Sequence, residues 1–232
     1  MWLHNLDTSK PCAFFDVDNT LISIKSMFSF LNYLQEKTKL IPQQVTDEMQ
    51  VELKQMFAAK ERRENINAHY YRVFAGVSVA ELAELGRKWY RQVADKADFF
   101  HPHALAKLKQ HQQEGYNLVF VSGSGLAMLQ PLAEALGVNT VLCAPQEQKE
   151  GRYTGKLVDQ PCIGEGKAHY IRRYLRLFTD VAARSVAYGD DISDFPMLAT
   201  VGRGYLVSPS ELTRAANQQQ EFTILEIEQE AA

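Results

Sequence analysis

The segment Cys12–Leu21, CAFFDVDNTL, constrains this chain more than any other. Its apolar half reads as a strand buried on both faces. The run stops on Asp16, and a second carboxylate, Asp18, follows two residues later. Asn19 and Thr20 then turn the chain away, as short polar residues do at strand ends. At the C-terminal edge of a strand both acids face one small volume. Two ionised carboxylates about 4 Å apart repel by roughly 4 kcal/mol at an effective dielectric of 20. Such a pair persists if one member is protonated or a cation lies between them. Taken alone, the pair equally fits a solvated strand-to-loop turn, so the choice rests on the rest of the chain.

Further apolar runs recur at Asn117–Val121, Thr140–Cys143, Ser185–Tyr188 and Gly204–Val207. Most are apolar throughout, the pattern of parallel strands covered on both faces. Helical stripes lie between several of them. Leu126, Leu129, Leu132 and Leu136 form one, closed by Gly137 as a C-cap, and Ala168, Ile171, Leu175 and Phe178 form another. This alternation predicts an α/β fold with a doubly wound parallel sheet.

One stretch breaks the alternation. From about Ser23 to Asp98 no strand pattern occurs, only four amphipathic segments, marked by Phe28 and Leu31, Met49 and Leu53, Tyr70 and Phe74, and Leu82 and Trp89. The fourth opens with the capping box Ser78-Val-Ala-Glu81. The expected organisation is an inserted helical bundle over residues 21–99, with residues 1–20 and 100–232 forming the α/β core. The sequence QEQKEGRYTGKLV, residues 146–158, predicts a β-hairpin turning at Glu150-Gly151. An edge strand over Phe222–Ile227 and a frayed acidic tail are expected at the end.

Composition removes several classes of function. The 232 residues carry a formal net charge of -3, with no basic excess to suit nucleic acid. Cys12, Cys143 and Cys162 are odd in number and far apart, so neither a disulfide framework nor a zinc knuckle is expected. Free thiols in a reducing compartment follow. MWLHNLDTSKP lacks the pattern of a signal peptide, and no apolar run is long enough to span a bilayer. The expectation is a soluble, cytoplasmic protein with no nucleic-acid or membrane partner, its oligomeric state left open.

Three further signals line up with Asp16. The run NLVFV ends at Ser122-Gly123-Ser124-Gly125, just before a helix, where a hydroxyl and glycine amides suit anionic oxygens. Gly164-Glu165-Gly166-Lys167 opens the helix after the hairpin, and a lysine in a first turn runs against the helix dipole unless an anion is near. The run SVAY ends in Gly189-Asp190-Asp191-Ile192-Ser193-Asp194, a second acidic cluster. In open α/β sheets ligands bind outside the carboxyl ends of the strands. Asp16, Asp18, Asp190, Asp191 and Asp194 would share that crevice with one lysine. Such an oxygen-rich set suits a hard divalent cation, Mg²⁺ above all, paired with a substrate phosphate.

The ordered set Asp16-Val-Asp18-Asn-Thr20, Ser122, Lys167 and Gly-Asp190-Asp191-x-x-Asp194 closely resembles the signatures of the haloacid dehalogenase (HAD) superfamily. The helical insert is similar to the C1-type cap of its phosphoserine-phosphatase-like subgroup. The resemblance implies a Rossmann-like core and a Mg²⁺-dependent phosphatase acting on a small organic phosphomonoester. It implies that Asp16 is the nucleophile, becoming an aspartyl-phosphate, and that Asp18 protonates the leaving alkoxide and then deprotonates water. Ser122, Gly123 and Lys167 would hold phosphoryl oxygens. Asp16, the Asp18 carbonyl and Asp190 would bind the metal, with Asp191 and Asp194 completing the acidic set. Asp194 would act through a water or by orienting Lys167. The presence of Asp18 favours phosphoryl transfer over dehalogenation. A phosphotransferase or mutase, and a non-catalytic phosphate sensor, are the alternative readings.

Two positions depart from that subgroup. Where phosphoserine phosphatases carry a glutamate for the substrate's ammonium, this chain reads Ser23-Ile-Lys25-Ser-Met27, and Ser193 replaces an asparagine. Free phosphoserine is therefore not the expected substrate. Lys25 and Arg62, with Lys60 and Arg63, are candidates to meet a second anionic group. Other motifs fail. Gly123-Ser-Gly125 meets Met128 where a dinucleotide fingerprint needs glycine, Gly166-Lys167 lacks a Walker frame, and Ser122 and Ser124 lack a nucleophile elbow. His101-Pro102-His103 reads as a helix start rather than a metal site.

Overall fold

The computed structural model describes residues 2–3 and 6–225. Strand β1 (Trp2–Leu3) precedes β2 (Cys12–Phe15). Four helices follow, α1 (Ser26–Lys37), α2 (Gln43–Ala58), α3 (Arg63–Tyr70), prolonged by a 3₁₀ turn over Tyr71–Phe74, and α4 (Val79–Ala94). The chain then runs through α5 (Pro102–Gln113), β3 (Asn117–Val121), α6 (Leu126–Leu136) and β4 (Thr140–Leu142). Strands β5 (Gln146–Lys149) and β6 (Arg152–Leu157) form the hairpin, followed by α7 (Glu165–Leu175) and β7 (Val186–Gly189). Short α8 (Phe195–Leu198), β8 (Arg203–Val207), α9 (Glu211–Asn217) and β9 (Thr223–Leu225) complete it.

The main sheet has the order β1-β4-β3-β2-β7-β8-β9. Only β1 runs antiparallel; the other pairs are parallel. Strands β2, β3, β4 and β7 are buried along their whole length, which is why their sequences are apolar rather than alternating. Successive side chains of β2 serve opposite faces. Phe14 meets Tyr174 of α7 edge-on at 6.1 Å, whereas Phe15 stacks on Tyr188 at 4.5 Å. Helices therefore cover both faces, as the alternating pattern implies. Gly137 caps α6 in the left-handed conformation and Pro102 opens α5. Strand β1 and the short helices α8 and α9 carry too few residues to show a period. The expected edge strand narrows to Thr223–Leu225; residues 226 and 227 and the acidic tail lie outside the described residues.

The helices from Ser26 to Ala94 return to the sheet where they left it. Ser23 N–H donates to Phe99 O at 2.9 Å, and His101 N–H donates to Leu21 O at 3.0 Å, so the outgoing and incoming chains lie side by side. The buried stripes of α1 and α4 meet at Phe30 and Trp89, ring centroids 5.6 Å apart, and Trp89 Nε1 donates to Ser29 Oγ at 3.1 Å. The hairpin bonds to the start of α4 and the loop before it. Val79 N–H donates to Gly151 O at 2.9 Å, and Tyr153 N–H donates to Val77 O at 2.9 Å.

Insert and core approach closely at Gly86 of α4, which lies on the start of α6. A Cβ there would sit 1.8 Å from Ala127 O, against backbone that cannot give way. We expect Gly86→Ala to destabilise the protein by about 2–4 kcal/mol through forced separation of α4 from α6. Urea denaturation checks this, and an unchanged midpoint would contradict the close contact.

Candidate active site

Parallel register delivers the key side chains. Phe15 pairs with Phe120 of β3 on one side and Tyr188 of β7 on the other. Asp16 N–H extends the ladder by donating to Tyr188 O at 2.9 Å, and Ser122 N–H donates to Leu142 O at 2.9 Å. Asp16, Ser122 and Asp190 thus leave the carboxyl ends of three neighbouring strands, spaced by about 4.8 Å per strand. Asn19 adopts the left-handed conformation (φ 64°), which asparagine tolerates, and its N–H donates to Ile22 O at 2.7 Å. That turn brings Asp18 back over the sheet edge.

Lys167, in the first turn of α7, is buried between two carboxylates. Its Nζ lies 2.6 Å from Asp16 Oδ1 and 2.6 Å from Asp194 Oδ1. Burial by itself would lower the lysine pKa, but Asp16 and Asp194 outweigh it and raise it, so the amine stays charged. Asp194 Oδ2 accepts the N–H groups of Asp190 and Asp191 at 3.1 and 3.2 Å, curling the β7 loop into a 3₁₀ turn. This fold-back requires Gly189, where a Cβ would lie 2.6 Å from Asp194 Cβ. Thr20 Oγ1 bridges the two strands, 2.8 Å from Asp190 Oδ1 and 3.2 Å from Asp16 Oδ2.

Carboxylate oxygens of Asp16, Asp190 and Asp194 all lie within 4.8 Å of one another. One ammonium among three acids leaves an excess of negative charge. Burial, with Asp194 and Asp190 nearby, pushes the Asp16 carboxyl well above its ordinary range despite Lys167. Burial and Asp194 raise Asp190 to about 6. These are hard oxygen donors with surplus charge, a set that fits a divalent cation of the Mg²⁺ type.

Asp18 points elsewhere. Its Oδ2 accepts Ser26 N–H at 3.0 Å and Ser124 Oγ–H at 3.3 Å, while Oδ1 is buried with no hydrogen bond. Burial raises its carboxyl to about 6, so it holds a proton far more readily than a surface aspartate. Ser122 Oγ accepts Ser124 N–H at 3.1 Å, leaving its own proton for a ligand.

Of the expected site residues, Asp16, Asp18, Lys25, Ser122, Gly123, Lys167, Asp190, Asp191 and Asp194 line one cavity of about 270 Å³. Three differ in placement from the sequence expectation. The Asp18 side chain is turned to the serines and does not join the acidic trio, nor does Asp191, whose two oxygens take Arg63 Nη1 and Nη2 at 2.7 and 3.2 Å. Burial would raise Asp191, but the Ser193 amide and Arg63 hold it below the ordinary carboxylate range. Arg62, with 76% of its side chain exposed, pairs with Glu64 at 3.5 Å outside the cavity, and the adjacent Arg63 faces inward instead. The α3 turn begins between them, and a step of one residue turns a side chain by about 100° around the axis.

Sequence reading missed four supporting residues. Asn67 Nδ2 and Tyr71 O–H both donate to Gly123 O, at 2.9 and 2.6 Å, from one face of α3 and its 3₁₀ continuation. Their i, i+4 spacing was the available signal, but it reads equally as bundle core. Ser26 and Ser124 face each other at 2.6 Å between their hydroxyl oxygens; Ser124 stood within the Ser-Gly-Ser-Gly motif, and Ser26 had no signal.

The chain is similar to known proteins in sequence and fold. A family model described as haloacid dehalogenase-like hydrolase matches residues 13–199. Phosphoserine phosphatase SerB1 of Mycobacterium tuberculosis is 29% identical over 206 residues, 88% of this chain; the chain spans just under two thirds, 66%, of that relative's length. The histidinol-phosphatase of Neisseria meningitidis serogroup C is 25% identical over 224 residues, 90% of this chain and 96% of that one. A solved structure of a protein of unknown function from Bordetella pertussis Tohama I superposes with a TM-score of 0.82 at 23% identity, over 94% of this chain and 99% of that one, a likeness of fold. With its sheet topology and its acidic strand ends in place, the chain belongs to the haloacid dehalogenase-like hydrolase family.

Proposed function

We propose that this protein is a Mg²⁺-dependent phosphatase that hydrolyses a small organic phosphomonoester through a phosphoryl group carried on Asp16. The observation that carries this reading is the pairing of two buried carboxylates with different partners. Asp16 is gripped by the Lys167 ammonium at 2.6 Å, whereas Asp18 is held by neutral donors with one oxygen free. Two acids with different surroundings are what a nucleophile and a proton donor require. The phosphatase names of the curated relatives support the same class.

In the first half of the reaction an Asp16 oxygen attacks phosphorus, the ester P–O bond breaks, and Asp18 gives its proton to the departing alkoxide. In the second half, water attacks phosphorus and yields a proton to the Asp18 carboxylate. The bond from phosphorus to Asp16 then breaks, releasing phosphate and restoring both acids. Lys167 and the Ser122 hydroxyl hold phosphoryl oxygens, and Gly123, its carbonyl fixed by Asn67 and Tyr71, presents its N–H to them. Asp16 and Asp190 would hold Mg²⁺, with Asp194 committed to Lys167 and two loop amides. The ion supplies charge neutralisation at the phosphoryl oxygens. Residues 21–99 act as a cap whose hinge is the paired crossing at Leu21–Ser23 and Phe99–His101, shielding the reaction from bulk water. A simple phosphate sensor has no use for an acid–base beside the anion site, which favours turnover.

Hydrolysis of a generic aryl phosphate, with and without Mg²⁺, tests the reading. Asp16→Asn should lower kcat by at least about 1,000-fold, and retained activity would remove the proposed nucleophile. Asp18→Asn should cost about 100–10,000-fold on an alkyl phosphate and less on an aryl one, whose leaving group needs less protonation.

Stability should depend on pH in a defined sense. The folded-state values near 6 for Asp18 and Asp190 lie above the ordinary 3.8, so the folded protein binds these protons more tightly than the unfolded chain. Their contribution is full below about pH 4 and is lost as pH rises through about 6, on the order of 3 kcal/mol per group. Thermal melts in a chelator should therefore show a lower Tm at about pH 7.5 than at about pH 5, with excess Mg²⁺ restoring part of the loss at the higher pH. Asp190→Asn should flatten this slope. A Tm that climbs across the same interval, with the slope unchanged in the variant, would contradict the charge assignment.

A further inference from the structure

We propose that the outer half of the active-site cavity selects a phosphomonoester whose alcohol carries an aromatic or similarly bulky apolar group and no ammonium. This rests on the phosphatase reading above and specifies its leaving group.

The cavity lining holds two chemically opposite sets of residues. Its floor is the set of carboxylates around Lys167 together with Ser122. Its other wall is apolar and comes from the inserted helices and the loop before α7, with Met27, Phe28, Phe57, Ile66 and Ile163 all lining it. Phe57, near the end of α2, is the telling residue. It is 48% exposed, and its ring lies 6.0 Å from that of Phe28 at an interplanar angle of 54°. Phe28 in turn meets Tyr70 edge-on at 6.5 Å. An aromatic ring left half in solvent at a cavity wall, backed by a second ring, offers a face for a planar apolar group to cover.

Charge narrows the choice further. The carboxylates lining the cavity belong to the floor, and Asp191 is already paired with Arg63. Lys25 lines the same cavity and forms no ion pair with any described residue. Asn67 Oδ1 is an uncommitted acceptor on the same wall, but it is neutral and suits a hydroxyl or an amide N–H. An ammonium on the leaving group would lose water, meet apolar surface and face a like charge. An aromatic ring there would lose nothing of the kind and would cover Phe57 and Phe28.

Three alkyl esters are compared, namely 2-phenylethyl, ethyl and 2-aminoethyl phosphate; the β-ammonium of the last makes its alkoxide a better leaving group, so binding is also measured apart from chemistry. Values of kcat/KM with Mg²⁺ are compared with calorimetric affinities of the matching phosphonates, which are not hydrolysed. The expected order is phenylethyl over ethyl by at least about tenfold and aminoethyl below ethyl by a similar factor, in both measurements. Phe57→Ala, which leaves no core void because the ring is half exposed, should reduce the phenylethyl advantage to about threefold or less. Lys25→Glu should raise aminoethyl relative to ethyl by at least about tenfold. Equal affinities for the three phosphonates, an aminoethyl preference in the wild type, or an intact phenylethyl advantage in Phe57→Ala would overturn the proposal. If the phosphonates rank as expected while none of the esters is hydrolysed, the recognition stands and the hydrolase reading falls.

Discussion

The structure depends on one buried ammonium. Lys167 Nζ sits between Asp16 and Asp194 at 2.6 Å from each, and neither carboxylate could be buried beside the other without it. From that contact the rest of the site follows. Asp194, fixed on one oxygen by the lysine, uses its other oxygen to gather two loop amides. That closure sets Asp190 beside Asp16, with Thr20 spanning the gap. The compensation is incomplete, because a single positive charge faces three acids. The residual charge is the reason this corner suits a divalent cation.

The helices inserted after β2 do more than cover the cavity. Their first backbone amide, Ser26 N–H, orients Asp18, and two side chains from α3 and its continuation anchor the Gly123 carbonyl. Asp18 and the loop at Gly123 are thus both braced by the insert. A shift of these helices would loosen both supports at once. Close packing at Gly86 against Ala127 and the hairpin's hydrogen bonds to residues 76–79 resist such a shift.

Much of this was legible in the sequence because chemistry here sits at the ends of strands. An apolar run that stops on Asp16, Ser122 or Asp190 announces both the strand and the group at its edge, and parallel register then brings the edges together. The helical insert was legible from its periodicity. What escaped was whatever depends on contact between distant segments. Arg63 rather than Arg62 reaches Asp191 because a helix begins between them, and a sequence gives such a boundary only to within a residue or two. Asp191 and the Asp18 side chain counted as possible ligands on proximity in sequence, yet each has a nearer partner supplied by the insert. Asn67 and Tyr71 drew no notice because their partner is a backbone carbonyl more than fifty residues away, and a carbonyl leaves no mark on composition.

The most direct test of the central claim is to catch the phosphoryl group on the chain. Wild-type protein turning over a phosphomonoester with Mg²⁺ is quenched with borohydride, which reduces an acyl phosphate to the alcohol, and the reduced residue is located by peptide mass spectrometry. The expected result is conversion of residue 16 to homoserine, absent without substrate and absent in Asp16→Asn. Steady turnover with residue 16 unmodified, or reduction at a different carboxylate, would contradict it.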